Sequence, residues 1–379
     1  MDWSESRKLI LLVLVALAIM AAARLDLLSL KGMQSFQVRL GVWWAGNHVR
    51  VWIGLASITL ILSSLFAFKW WRKIQHAREI QQRVANGATI QLLGRSDWKP
   101  VDPANVNLWA RLADALPHDE HISFEIGGSD TELFFALHGS EDGVRAALTQ
   151  FKAEWPGMQR RPVEVEHAQV PPDWHLHWIE LCPQDWKESI TSLSSDPLRA
   201  VLVEVNGVLG RGRGLVQVIA RNDFGTRAKL GRAAFENRAE KVENAGVKAI
   251  RTKEARGLET RAERTFLQVT VRCVGIADSQ SRAQGIARGL ARAVSASYGH
   301  RNPVKPVKNG SDPQVVMERR MGKTQAWADD ELASLAHLTG SDMLFVAPRL
   351  KTASAKSLPP DPEMRVTVQD GTARFVEAA

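Results

Sequence analysis

The residue types that most suggest chemistry are Met321-Gly322-Lys323-Thr324, because a phosphate-binding loop ends in Gly-Lys-Ser/Thr. Such a loop needs a second glycine five residues before Gly322, so that backbone amides can wrap a phosphate. This chain has Met317 there, with the bulky charged residues Glu318, Arg319 and Arg320 in between. No acidic magnesium-holding strand follows, so the motif reads against nucleotide binding. His175, His177 and Cys182 offer metal-ligand chemistry, but no fourth ligand stands at a metal-site spacing, and strand alternation accounts for all three. Gly207, Gly210, Gly212 and Gly214, with Arg211 and Arg213, form a glycine-rich turn after a helix and before a strand. That is the reverse of the dinucleotide-binding order. A helix stop with an exposed turn is the plain reading, and a phosphate contact through the two arginines is the alternative. No nucleophile can be paired with a base and an orienting group. The sequence therefore gives no catalytic residue, no cofactor and no metal, and the chain reads as a non-enzyme.

Charge is the chemistry that remains. The net +8 is uneven: +6 over residues 1–80, −7 over 81–220, +5 over 221–264 and +4 over 265–379. Nothing in 221–264 is apolar enough to span a membrane, so its excess points to a polyanion, nucleic acid or a lipid surface. Arg232, Arg238, Lys241, Arg251 and Arg256 are the candidate contacts. A solvated helical face is the competing explanation. Cys182 and Cys273 lie more than 90 residues apart and give no disulfide framework, as suits a reducing cytoplasm.

The N-terminal excess has another source. Eighteen apolar or small residues, Val51 to Phe68, precede the run Lys69-Trp70-Trp71-Arg72-Lys73. At about 1.5 Å per residue they nearly match a hydrocarbon core of roughly 30 Å. The Trp pair and cations suit the headgroup layer on the cytoplasmic side, giving a membrane-interface cluster. A second run, Leu9 to Ala23, is continued by leucines to Leu30. It reads either as a first span, making a transmembrane helical hairpin (about 9–30 and 51–68), or as a secretory signal with small residues at Ala21 and Ala23. Either way the bulk of the chain is expected in the cytoplasm, tethered at a bacterial inner membrane.

The elements that must position these residues follow from periodicity. Ile122, Phe124 and Ile126 alternate, Gly127 to Asp130 signals a hairpin turn, and Leu133 to Leu137 returns. Val144, Leu148, Phe151 and Trp155 share a helical face that Pro156-Gly157 stops. A second unit runs from His175–Leu181 through a helix opened by Ser195-Asp196-Pro197 to Leu215–Ala220, then Phe266–Ile276 and a helix at about 279–298. A polar helical stretch interrupts it. The expected fold class is α+β: the transmembrane hairpin (1–80), then two α/β sandwich subdomains, ferredoxin-like with split β-α-β order. These cover 105–170 and 171–310, with a helical insertion at 223–260, a helical extension at 311–347 and a tail or linker at 348–379. No internal repeat of short fixed period is evident.

Four stretches in this order resemble the pre-motor region of conjugative DNA-transfer ATPases, relatives of the type IV secretion coupling proteins. They are Ile122–Phe135 with the helix Glu141–Pro156; Asp196-Pro197-Leu198 leading to Leu215–Ile219; Phe266–Ile276 with its helix to Tyr298; and Asp330-Glu331-Leu332-Ala333-Ser334-Leu335-Ala336-His337-Leu338. The likeness covers about residues 105–345. Those proteins continue into a motor with a phosphate loop, which this sequence does not contain. The resemblance implies a membrane-anchored, non-catalytic component of a DNA-transfer or type IV secretion-like machine. Its implied partners are the inner membrane, a motor ATPase on a separate chain, nucleic acid, and further copies or subunits in a homo- or hetero-oligomer. The alternative is a structural scaffold whose basic insert binds anionic lipid.

Overall fold

The computed structural model describes residues 34–98, 107–117, 119–163, 168–190, 196–239, 245–299, 301–353, 365–369 and 372–376. The chain divides into two units, Met1–Gln75 and His76–Ala379. Helix α1, Gln34–Ala85, is 52 residues long and runs through the division. Its last turns belong to the second unit, where Ile80 and Val84 are buried and Asn86-Gly87 ends the helix.

The transmembrane hairpin is not found among the described residues. Among the described residues no helix is long and apolar enough to cross a membrane. The run Val51–Phe68 is not an element of its own: it is a section of α1, which continues without a break into the charged segment from Lys69 to Arg83. Apolar letters alone do not mark where a helix starts or stops. The other expected span, about 9–30, lies outside the described residues.

Beyond α1 the described residues build one ten-stranded sheet and a separate two-stranded hairpin. The first half of the sheet comprises β1 (Ala88–Arg95), α2 (Leu108–Ala115), β2 (His121–Gly128), β3 (Leu133–Gly139), α3 (Glu141–Glu154) and β4 (Gln159–Pro162). The strands lie in the order β4-β1-β3-β2 with antiparallel neighbours. The second half comprises β5 (His175–Pro183), α4 (Pro197–Asn206), β6 (Gly212–Asn222), α5 (Thr226–Ala239), α6 (Ala245–Ala262), β7 (Phe266–Ala277), α7 (Gln280–Ala296) and β8 (Val304–Gly310). Its order is β8-β5-β7-β6, again antiparallel. Apart from the α5–α6 insertion, each half reads β-α-β-β-α-β.

The second strands of the halves, β2 and β6, pair antiparallel from His121↔Arg221 to Gly128↔Gly214. That pairing relates the halves by an approximate two-fold axis through the sheet. It also corrects the expectation of two separate sandwiches: there is one ten-stranded sheet. Fusion follows from burial, since every residue of β2 is buried and neither face nor edge is left for solvent. The remaining strands extend this sheet. β9 (Gln325–Ala328), after the short helix α8 (Pro313–Met317), pairs β7, and β10 (Thr352–Ala353) runs parallel to β1. Between them lie α9 (Asp329–Ala333) and α10 (Asp342–Val346). A hairpin of β11 (Arg365–Gln369) and β12 (Thr372–Val376) follows.

Helices α2, α3, α4, α7, α9 and α10 gather on one face over a continuous apolar core. Ile122, Phe124 and Ile126 of β2 meet Val216 and Val218 of β6, Leu148 and Phe151 of α3, and Leu290 of α7. Caps fix where the helices begin. Ser140 accepts the Gly143 amide ahead of α3, and Asp196 accepts the Leu198 amide ahead of α4, with Pro197 in the first turn. Gly275 lets α7 lie against the sheet, because a Cβ there would collide with the Ala283 and Ala287 backbone. At the outer edge, β8 exposes Lys305, Pro306 and Lys308, residue types that discourage strand addition.

Candidate functional site

On the opposite face, under α8, strand alternation places four polar side chains in one row across four strands. Glu125 is opposite Gln217, Gln217 opposite Arg272, and Arg272 opposite Glu180. All four are fully buried. Gln217 Nε2 donates to Glu125 Oε1 at 2.9 Å, and Arg272 donates to Gln217 Oε1 at 3.1 Å and Glu180 Oε1 at 2.8 Å. Arg319 closes the row from above, its Nε donating to Glu125 Oε1 at 2.8 Å. Two carboxylates thus meet two guanidiniums. Burial lowers the Arg272 pKa, and the hydrogen bond and charge of Glu180 oppose that shift.

The segment over this row contains the Gly-Lys-Thr sequence, and its role is covering, not phosphate binding. The carbonyls of Val315 and Arg320 accept from Arg272, at 3.1 and 2.6 Å. The Gly322 amide donates to Thr270 Oγ1 at 3.2 Å, and the Lys323 amide donates to Glu180 Oε2 at 3.2 Å. A Cβ on Gly322 would strike the Glu180 carboxylate, so glycine is required by close approach. The Lys323 side chain is exposed. Alongside, His121 Nε2 contacts the Arg319 carbonyl oxygen at 3.0 Å. Burial holds the His121 pKa down at about 4, with lesser lowering by His138, Arg221 and Arg272, while the Arg319 carbonyl raises it.

The other motifs are also absorbed by structure. His177 and Cys182 point to opposite faces of β5, and among the described residues no cluster could hold a metal. Cys182 donates to the Lys323 carbonyl, and burial raises its thiol pKa to about 11. Arg211 and Arg213 both lie over the Trp174 ring, at 5.8 and 5.7 Å from its centre. In the Asp330–Leu338 stretch, Glu331 forms a buried ion pair with Arg261 and accepts the Ile190 and Ala328 amides at 2.8 Å. His337 is fully buried, 3.4 Å from the Asp196 carboxylate that caps α4.

What stands out from the body is the α5–α6 pair, an arm inserted between β6 and β7. Its base is fixed twice. Leu230, Ala234 and Leu258 pack with Phe266, Ala326 and Ala328, and Arg261 at the end of α6 reaches Glu331. Away from these contacts the arm is exposed, with Phe235, beside Ala234 on α5, 71% and Ile250 60% accessible. Of the candidate contacts, Arg232 and Arg256 are exposed and Arg251 is half-buried. Arg238 pairs with Glu259 and so ties α5 to α6. Lys241 lies outside the described residues. Lys248, Thr252, Lys253 and Arg256 line one shallow groove along α6. Sequence reasoning passed over Lys248 and Lys253; their spacing of about one turn from Thr252 and Arg256 was the available signal.

The membrane-interface cluster falls on α1, in the other unit. Lys69, Trp70, Trp71, Arg72 and Lys73 are all exposed; Trp71 stacks on Phe68 at 6.2 Å, and Arg72 lies 5.9 Å from the same ring. No protein-family model and no curated protein matches the sequence.

Proposed function

We propose that this protein is a non-catalytic docking component of a DNA-transfer or type IV secretion-like machine. Its body serves a motor ATPase made as a separate chain, and its arm meets nucleic acid. The observation that carries this reading is a basic stripe on a helix anchored at its base: Lys248, Lys253 and Arg256 on the outward side of α6, below which Arg261 is locked to Glu331. A solvated charge run needs no such footing. An anchored stripe holds its cations at fixed spacing, which suits a phosphate backbone. The buried acids and bases of the sheet support a platform role, because each is engaged by a partner inside the fold: Glu125 by Arg319, Glu180 by Arg272 and Glu331 by Arg261.

The proposed location is the inner face of a bacterial inner membrane, with the bulk of the chain on the cytoplasmic side. The exposed Trp70-Trp71 pair between Lys69 and Arg72-Lys73 supports contact with headgroups. Reversing Arg232, Arg238, Lys241, Arg251 and Arg256 together tests the arm. Loss of DNA binding by the full chain is the expected result. Unchanged DNA binding, or binding only to anionic vesicles, removes the nucleic-acid role and leaves the lipid-bound scaffold.

A further inference from the structure

The arm has a second character besides charge. Phe235 is among the most exposed large apolar side chains, with Arg232 three residues earlier on the same helical face. Ile250 lies well round α6 from the basic groove, at the usual 100° per residue. The body carries a counterpart. Phe345 of α10 is 90% exposed, with Asp342 three residues earlier. Val203 of α4 and Leu209 just after it are 50% and 64% exposed. These elements are held together, since Arg349 beyond α10 donates to the Asn206 side chain at 3.1 Å and to the Val208 carbonyl at 3.3 Å.

The two surfaces cannot meet within one chain. The Phe345 surface adjoins the start of β6 and the arm leaves from its end; β6 has 11 residues, or roughly 35 Å. We infer that the Arg232–Phe235 face of the arm seats on the Asp342–Phe345 surface of a second copy, so that the chain assembles head to tail. The occupant is identified by complementarity of two kinds, a cation beside an aromatic ring against an acid beside an aromatic ring. The contact is heterologous, because each copy uses one surface on each neighbour. The inference goes beyond the nucleic-acid reading of α5–α6, which uses the α6 groove, and shares only Arg232 with it.

Sedimentation of the full-length chain at increasing concentration tests it. Wild type is expected to form salt-sensitive dimers and larger species. Phe235→Asp and Phe345→Asp should each weaken association about tenfold or more. Both sites are exposed, so the melting curve serves as the control for folding. Mixed in equal amounts, the two variants should yield a dimer and nothing larger, since each retains the surface the other has lost. Arg232→Asp should be rescued by Asp342→Arg. A wild type that stays monomeric, variants that assemble normally, or a mixture without dimer overturns the inference. Neither phenylalanine belongs to the basic groove, so both variants should keep wild-type DNA binding. A monomer that binds DNA sinks the self-docking alone, whereas an assembling chain that ignores DNA sinks the nucleic-acid reading alone.

Discussion

At Gly322 and Lys323 the sequence and the structure assign opposite importance to adjacent residues. A phosphate loop would depend on the lysine side chain. Here the glycine matters, because Glu180 occupies the space a Cβ would need, and Lys323 contributes only its backbone. Gly322→Ala is expected to cost about 1–3 kcal/mol in urea unfolding, and Lys323→Ala under about 0.5. A larger loss for the lysine would contradict this assignment. His121 gives a pH dependence of definite sign. Its pKa is about 4 in the fold against a usual 6.5, so the unfolded chain takes up the proton first as pH falls. The contribution is therefore complete above pH 6.5, is lost between 6.5 and about 4, and levels off below, amounting to roughly 3 kcal/mol. His121→Gln should flatten that part of the stability profile; an unchanged slope would show that other groups cause it. None of this was legible in sequence. Glu125, Gln217, Arg272 and Glu180 come from four strands, and only their register brings them into one row.

Elements with strong periodicity could be read directly. Alternation located β2, β5, β6 and β7, whose apolar side chains meet the core while Glu125, Glu180, Gln217 and Arg272 face the other side; the turn signal located β3, and the apolar stripes located α3 and α7. β1 and α2 were missed: β1 mixes exposed and buried positions without alternation, and α2 has only eight residues. The long polar stretch was readable as helical, but not as two helices with a fixed base. Its anchor pairs Arg261 with Glu331, residues 70 apart in sequence. Breaking a buried pair costs about 3–5 kcal/mol because the remaining charge is stranded. Glu331→Ala should therefore speed amide exchange across 226–262 while leaving β2 and β6 protected. Equal protection of the arm before and after substitution would mean that the apolar base alone holds it.

On the scale of the whole molecule, the sequence hides a near-symmetric plan. Two β-α-β-β-α-β halves join through β2 and β6, but one bears a turn at Ser129–Glu132 where the other bears the arm. The insertion breaks any constant spacing, so a search for repeats of fixed period finds nothing. The apolar run Val51–Phe68 misled in the opposite direction, because hydropathy was taken to define an element that the backbone extends well beyond it. The asymmetry between the halves is where function is expected, since the arm has no equivalent in the first half. The measurement that bears most directly on it is the salt dependence of DNA affinity for the full chain. Replacement of Lys248, Lys253 and Arg256 by Glu should reduce the steepness of the log–log plot by about 2–3. Equal slopes for wild type and the triple variant would contradict the account.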